Sequence, residues 1–193
     1  MGKEFELKFA ATPAQQEEVA ALYGPFAEIA METTYYDTEN RDFSTRKMTL
    51  RRRFENGLSV CTLKAPLGAN SRREFEVEAP DIQSAIPGLS QASGWKELEK
   101  ITNSGLHPIC GARFTRRAAT LTLEDCTLEL ALDAGVLTAG ERQIPLCEIE
   151  VELKTGTEAA AAAFAQQLSL QFGLQTEPKS KFRRAMDLAL QET

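Results

Sequence analysis

Hydrophobic and polar positions alternate along much of the chain. In EFELKF, Phe5, Leu7 and Phe9 would share one face of an extended segment, with Glu4, Glu6 and Lys8 on the other. The same period of two recurs in LRRRF, where Arg51 and Arg53 oppose Leu50, Arg52 and Phe54, and in SVCTLK, where Thr62 and Lys64 oppose Cys61 and Leu63. It recurs again in SRREFEVE, setting Arg72, Glu74, Glu76 and Glu78 against Arg73, Phe75 and Val77. The longest row is in CEIEVELK, with Glu148, Glu150, Glu152 and Lys154 opposite Ile149, Val151 and Leu153. ETTYYD, RFTRRAATLTLED and CTLELALDAG complete the predicted strands, and Asn56-Gly57 is a hairpin turn.

Helical segments lie between them. Thr12 caps the first, with Pro13 in its first turn and Gln15 at the capping-box position, and Gly24-Pro25 stops it. A short helix and loop follow Asp81, and KELEKIT is a further helical piece. His107, next to Pro108, reads as a surface loop residue, and Trp95 as outer packing. Thr157 caps EAAAAAFAQQLSLQF, which ends at Gly173, and KFRRAMDLAL forms the last helix.

One strand with a charged face is ordinarily a strand facing water. Here at least five carry uninterrupted charged rows, and two strongly apolar helices need a surface to cover. If the helices cover the apolar faces, the charged faces turn inward and line a closed barrel. Same-face neighbours about 7 Å apart repel by roughly 2 kcal/mol at an effective dielectric near 20. Clustered carboxylates in such an interior call for divalent cations, and clustered Arg and Lys for a polyanion. On this reading, removing one charge, as in Glu150→Gln, relieves the metal-free protein.

Composition narrows the chemistry. The 193 residues, 42% hydrophobic and 26% charged, are expected to form one domain over 1–193, without a membrane span or secretory signal, and hence cytoplasmic. A formal net charge of -6 argues against general nucleic-acid binding, yet TRKMTLRRRF and KSKFRRA are locally basic, which fits a small anionic ligand. Cys61, Cys110, Cys126 and Cys147 form no CxxC pair and read as reduced, packed thiols. With a single histidine, acid/base or metal chemistry rests on carboxylates, which favour hard cations such as Mg²⁺ or Mn²⁺.

A series of motifs runs along nearly the whole chain in one order. It comprises ExExK at Glu4, Glu6 and Lys8, YYDT from Tyr35 to Thr38, LRxR from Leu50, LK at Leu63 and Lys64, and RxExE from Arg72. Arg116, LDxG from Leu132, ExExE from Glu148 and SK at Ser180 and Lys181 follow. The series resembles the CYTH domain of triphosphate tunnel metalloenzymes, and ENG, LALDAGxxxAG and CEIEVEL look most like its bacterial inorganic triphosphatase branch.

The resemblance implies an α+β fold: a closed eight-stranded antiparallel β-barrel, a tunnel open to solvent, with helices packed outside. It implies a Mg²⁺ or Mn²⁺ site built from Glu4, Glu6 and one or two of Glu148, Glu150 and Glu152. Lys8, Arg51, Arg53, Lys64, Arg72, Arg116 and Lys181 would bind the triphosphate, with Lys179 as a further contact. Glu76 and Asp133 would help a second metal or position the attacking water, and Lys8 and Arg53 complete the implied catalytic set. The implied reaction is hydrolysis of tripolyphosphate to pyrophosphate and phosphate by a monomer or homodimer. Alternatives are action on thiamine triphosphate or a nucleoside triphosphate, cyclisation of ATP, and a non-catalytic polyphosphate-binding module.

Overall fold

The computed structural model describes residues 5–66 and 72–190, and in it each alternating segment is a strand. The strands are β1 (Glu6–Ala10), β2 (Ala27–Asp37), β3 (Thr49–Glu55), β4 (Leu58–Pro66), β5 (Arg72–Glu78), β6 (His107–Thr122), β7 (Cys126–Ala139), β8 (Arg142–Gly156) and a short β9 (Gln175–Thr176). The helices are α1 (Pro13–Tyr23), α2 (Asp42–Thr45), α3 (Ile82–Ser93), α4 (Leu98–Thr102), α5 (Glu158–Phe172) and α6 (Lys181–Leu190). No described helix is long and apolar enough to cross a membrane.

All nine strands join one antiparallel sheet in the order β5-β4-β3-β2-β6-β7-β8-β1-β9. The predicted closed eight-stranded barrel does not form, although the α+β class stands. Closure requires the two edge strands to pair along their length at a consistent stagger. Here β9 pairs through two residues with Phe9 and Ala10, β5 pairs with β4, and among the described residues the two edges do not pair with each other.

Side-chain parity follows the sequence. Phe9, Leu128, Leu130, Leu132, Ile149 and Val151 are buried beneath α1 and α5 in one apolar cluster. Leu50, Cys61 and Leu63 are buried in another with Ile82, Ala85, Ile86 and Leu89 of α3 and Leu98 of α4. Burying a side chain of this size stabilises the fold by about 1.5–3 kcal/mol each, and the charged partners of these residues are thereby turned to the other face.

Helix α6 does not pack outside. It lies on the charged face, burying Ala185 and Leu188 against Met31, Tyr35, Cys110, Ala112, Phe114, Leu137 and Leu146. That face is therefore apolar at one end and charged at the other. Two local readings also change: His107 is exposed but begins β6 opposite Asp37, and α3 continues through Pro87 as a 12-residue helix. The cysteines are free thiols, with Cys61, Cys110 and Cys126 buried.

Two glycines are required by geometry. Gly57, at φ +95, follows Asn56, at φ +45, in the β3–β4 turn, as a two-residue hairpin demands. At Gly135 a Cβ would come within 2.2 Å of the Arg113 carbonyl and 2.5 Å of Phe114 Cα, so the glycine of LDxG lets β6 approach β7 two residues after Asp133.

Candidate metal and anion site

The acidic side of the charged face is assembled by register. Asp133 faces Glu148 across β7 and β8, Ala131 faces Glu150, and Glu129 faces Glu152, while β1 sets Lys8 beside Glu150 and Glu6 beside Glu152. Asp133, Glu148 and Glu150 are buried, and each offers a carboxylate oxygen within 4.8 Å of the others. An all-carboxylate oxygen set of this size fits a hard divalent cation.

Three cations of the chain meet these three carboxylates. Arg116 makes a bidentate pair with Asp133 at 2.8 Å and 2.8 Å and also contacts Glu150. Lys181, at the start of α6, lies 2.7 Å from Asp133 and 2.7 Å from Glu150, and contacts Glu148. Arg184, one turn further along α6, also pairs with Glu148. Burial pushes the Glu150 carboxyl up, but Lys181 and Arg116 outweigh it and hold the group below its ordinary range. In Glu148 burial prevails, with Glu150 adding to it, and the carboxyl is raised. Burial lowers Lys181, but Glu150, Asp133 and Glu148 together raise it, so the ammonium stays charged.

The predicted ligands divide accordingly. Asp133, Glu148 and Glu150 are brought together. Glu6 instead lies 3.3 Å from Lys8, and Glu152 lies 2.9 Å from Lys154. Glu76, on β5, accepts from Thr62 Oγ1 at 3.1 Å, with four strands between β5 and β7 in the sheet. Glu4 and the Arg72 side chain lie outside the described residues.

The basic side is built by β3 and β4. Arg51 and Arg53 share the charged face; among the described residues the buried Arg51 Nε has no hydrogen-bond partner, while Arg53 Nε is set against Glu55 Oε1. Lys64 contacts Glu74. Burial, reinforced by the charges of Arg51 and Arg116, pulls the Arg53 guanidinium below its ordinary value, so positive charge is crowded there and an anion would relieve it. Tyr35 lies between the two sides: burial raises its hydroxyl, and both Arg51 and Lys181 act on it. Arg52 points the other way, donating to Ser59 Oγ at 2.8 Å with its guanidinium 5.5 Å from the Phe54 ring. Lys179 is directed to Asp187 at 2.8 Å rather than to the cluster.

Arg184 and Glu129 lie on the charged face but outside the sequence motifs, and Tyr35 enters them only as the first residue of YYDT. Arg184 follows Lys181 at the i,i+3 spacing that puts two helical side chains on one face, a signal present in KFRRA. Glu129 shares strand parity with Asp133 and lies 3.7 Å from Arg116 and 3.5 Å from Lys154. Tyr35 stands directly opposite Arg51 on the neighbouring strand.

The chain is 30% identical over 193 residues to an inorganic triphosphatase from Haemophilus influenzae, an alignment covering 95% of this chain and 54% of the relative, so it spans about half that protein's length. Among solved structures, a putative adenylyl cyclase from Hippeastrum, described as having a dominant triphosphatase activity, has the same fold. Its TM-score is 0.67 at 18% identity, covering 97% of this chain and 96% of the other. A Pyrococcus horikoshii protein matches with a TM-score of 0.62 at 23% identity, covering 96% and 99%. The CYTH domain is matched over residues 2–186, nearly the whole length, and the chain therefore belongs to the CYTH domain family.

Proposed function

We propose that this chain is a metal-dependent triphosphatase whose substrate is inorganic tripolyphosphate, hydrolysed to pyrophosphate and phosphate within one domain. The observation that carries the reading is the division of one sheet face into a buried three-carboxylate cluster and a basic side where Arg51 and Arg53 lie together, the buried Arg51 Nε having no hydrogen-bond partner among the described residues. The Haemophilus influenzae relative, an inorganic triphosphatase, favours the substrate class.

A divalent cation, Mg²⁺ or Mn²⁺, held by Asp133, Glu148 and Glu150 would screen and polarise the phosphate oxygens. Glu6 and Glu152, neighbours in register at the edge of this cluster, would extend the acidic surface for a second cation. Arg51 and Arg53 bind and orient the chain of phosphates, as a guanidinium does with paired phosphate oxygens. Arg116, Lys181 and Lys8 neutralise charge moving onto the leaving pyrophosphate as water attacks the terminal phosphorus in line. The bond from water oxygen to phosphorus forms, the bridging P–O bond breaks, and the water proton is released with the products.

The test is phosphate release from tripolyphosphate, ATP, thiamine triphosphate and pyrophosphate with Mg²⁺ or Mn²⁺. Tripolyphosphate is expected to be the best substrate, and chelator to abolish turnover. Full activity in chelator, or a higher kcat/KM for ATP, overturns the proposal.

A further inference from the structure

Helix α1 lies against the apolar face of the sheet, and its buried residues are Val19 and Gln16. Val19 suits that cluster. Gln16 is a polar side chain only 2% exposed, and its Nε2 donates to two main-chain carbonyls: that of Asp133 at 3.0 Å and that of Glu148 at 2.9 Å. These two residues are cross-strand partners, and their side chains, on the opposite face, supply two of the three clustered carboxylates. One amide thus joins, from behind, the backbones that carry both groups.

The helix that presents this amide is itself held at its N-terminus. Thr12 and Gln15 form a reciprocal capping box, and Gln15 Nε2 donates to the Phe172 carbonyl at 2.8 Å, tying α1 to the end of α5. Gln16 therefore comes from a fixed support rather than from a fraying end.

We propose that Gln16 is a positioning residue for the divalent cation: it fixes the spacing of Asp133 and Glu148 from the far side of the sheet. This rests on the metal-dependent reading above. Metal sites tolerate displacements of about 0.2 Å in their ligand atoms, so a bond that holds two ligand-bearing backbones in register acts on affinity. Loss of a supporting partner behind metal ligands typically weakens metal binding by roughly 10–100-fold. A purely structural glutamine would change stability and leave affinity alone.

The experiment titrates Mn²⁺ into the chelator-stripped chain by calorimetry and follows thermal melts in chelator, comparing wild type with Gln16→Met, Gln16→Asn and Val19→Ala. Gln16→Met keeps the bulk and removes the donor; Gln16→Asn keeps the amide but withdraws it by one methylene, and carries the test if the first variant does not fold. Both are expected to weaken Mn²⁺ binding about tenfold. Val19→Ala, which opens a void at the same helix contact, is expected to lower the melting temperature and leave Mn²⁺ affinity unchanged. Wild-type affinity in the Gln16 variants, or an equal loss in Val19→Ala, removes the positioning role alone. Absence of Mn²⁺ binding by the wild type removes the metal-dependent reading and this inference with it.

Discussion

Lys181 Nζ lies 2.7 Å from Glu150 Oε1, joining the C-terminal helix to the most acidic part of the sheet. Three carboxylates and three cations meet there, so the cluster is close to neutral without any metal.

Lys181→Met should therefore lower the melting temperature strongly in chelator. Removing one partner of a buried ion pair costs about 3–5 kcal/mol, because the charges left behind lack compensation. Mn²⁺ should restore much of the loss by supplying the missing positive charge. Melts of wild type and variant, in chelator and in Mn²⁺, decide the matter; an equal deficit in both conditions would mean that Lys181 only anchors α6.

Glu150→Gln is expected to destabilise the metal-free protein, by about 3 kcal/mol in denaturant unfolding with chelator present. The alternation pattern alone predicts the opposite sign, through relief of repulsion between neighbouring carboxylates. The sign reverses because Lys181 and Arg116 stand against Glu150, and the neutral amide would strand them. A variant as stable as wild type would show that repulsion outweighs these pairs.

Arg51, Arg52 and Arg53 are chemically identical and differ in the face they occupy. Arg51→Ala or Arg53→Ala should lower kcat/KM for tripolyphosphate about a hundredfold, on the scale of one lost charged contact in the transition state, roughly 3 kcal/mol. Arg52→Ala should lose little catalysis, since its contacts are Ser59 and Phe54 on the other face. Steady-state kinetics of the three purified variants check this, and the largest loss at Arg52 would contradict the assignment of faces.

Asp37, of YYDT, is 1% exposed and accepts from the backbone N–H groups of Thr38, Phe43 and Ser44 and from Ser44 Oγ. It organises the turn around α2, and Asp37→Ala would leave several donors unsatisfied, at a cost of about 2–3 kcal/mol. Chemical denaturation should show the loss, with a smaller one for Asp37→Asn, which retains an acceptor.

The faces of β1, β3, β4, β5 and β8 were legible in the sequence because alternation is a local property of an extended backbone. Phe5, Leu7 and Phe9 must part from Glu6 and Lys8 whatever the strand pairs with, and Arg52 must part from its two neighbours. The caps at Thr12 and Thr157 and the Asn56-Gly57 turn were legible for the same reason, since each is decided within a few residues. The motif series likewise identified the CYTH family from the chain alone.

Tertiary structure decided what depends on distant pairings. Whether β5 meets the far edge is a matter of stagger and twist accumulated over nine strands, and no single strand encodes it. The placement of α6 on the charged face was equally hidden, because the helix is both apolar and basic: Ala185 and Leu188 suit an apolar surface, while Lys181 and Arg184 suit a carboxylate cluster. Only the sheet offers both together, with Phe114 and Leu137 beside Asp133 and Glu148. In EFELK, Glu6 finds Lys8 within its own strand, whereas Asp133, Glu148 and Glu150, which β7 and β8 bring to the same face, find Lys181 from a distant part of the chain and are joined to it only by the fold.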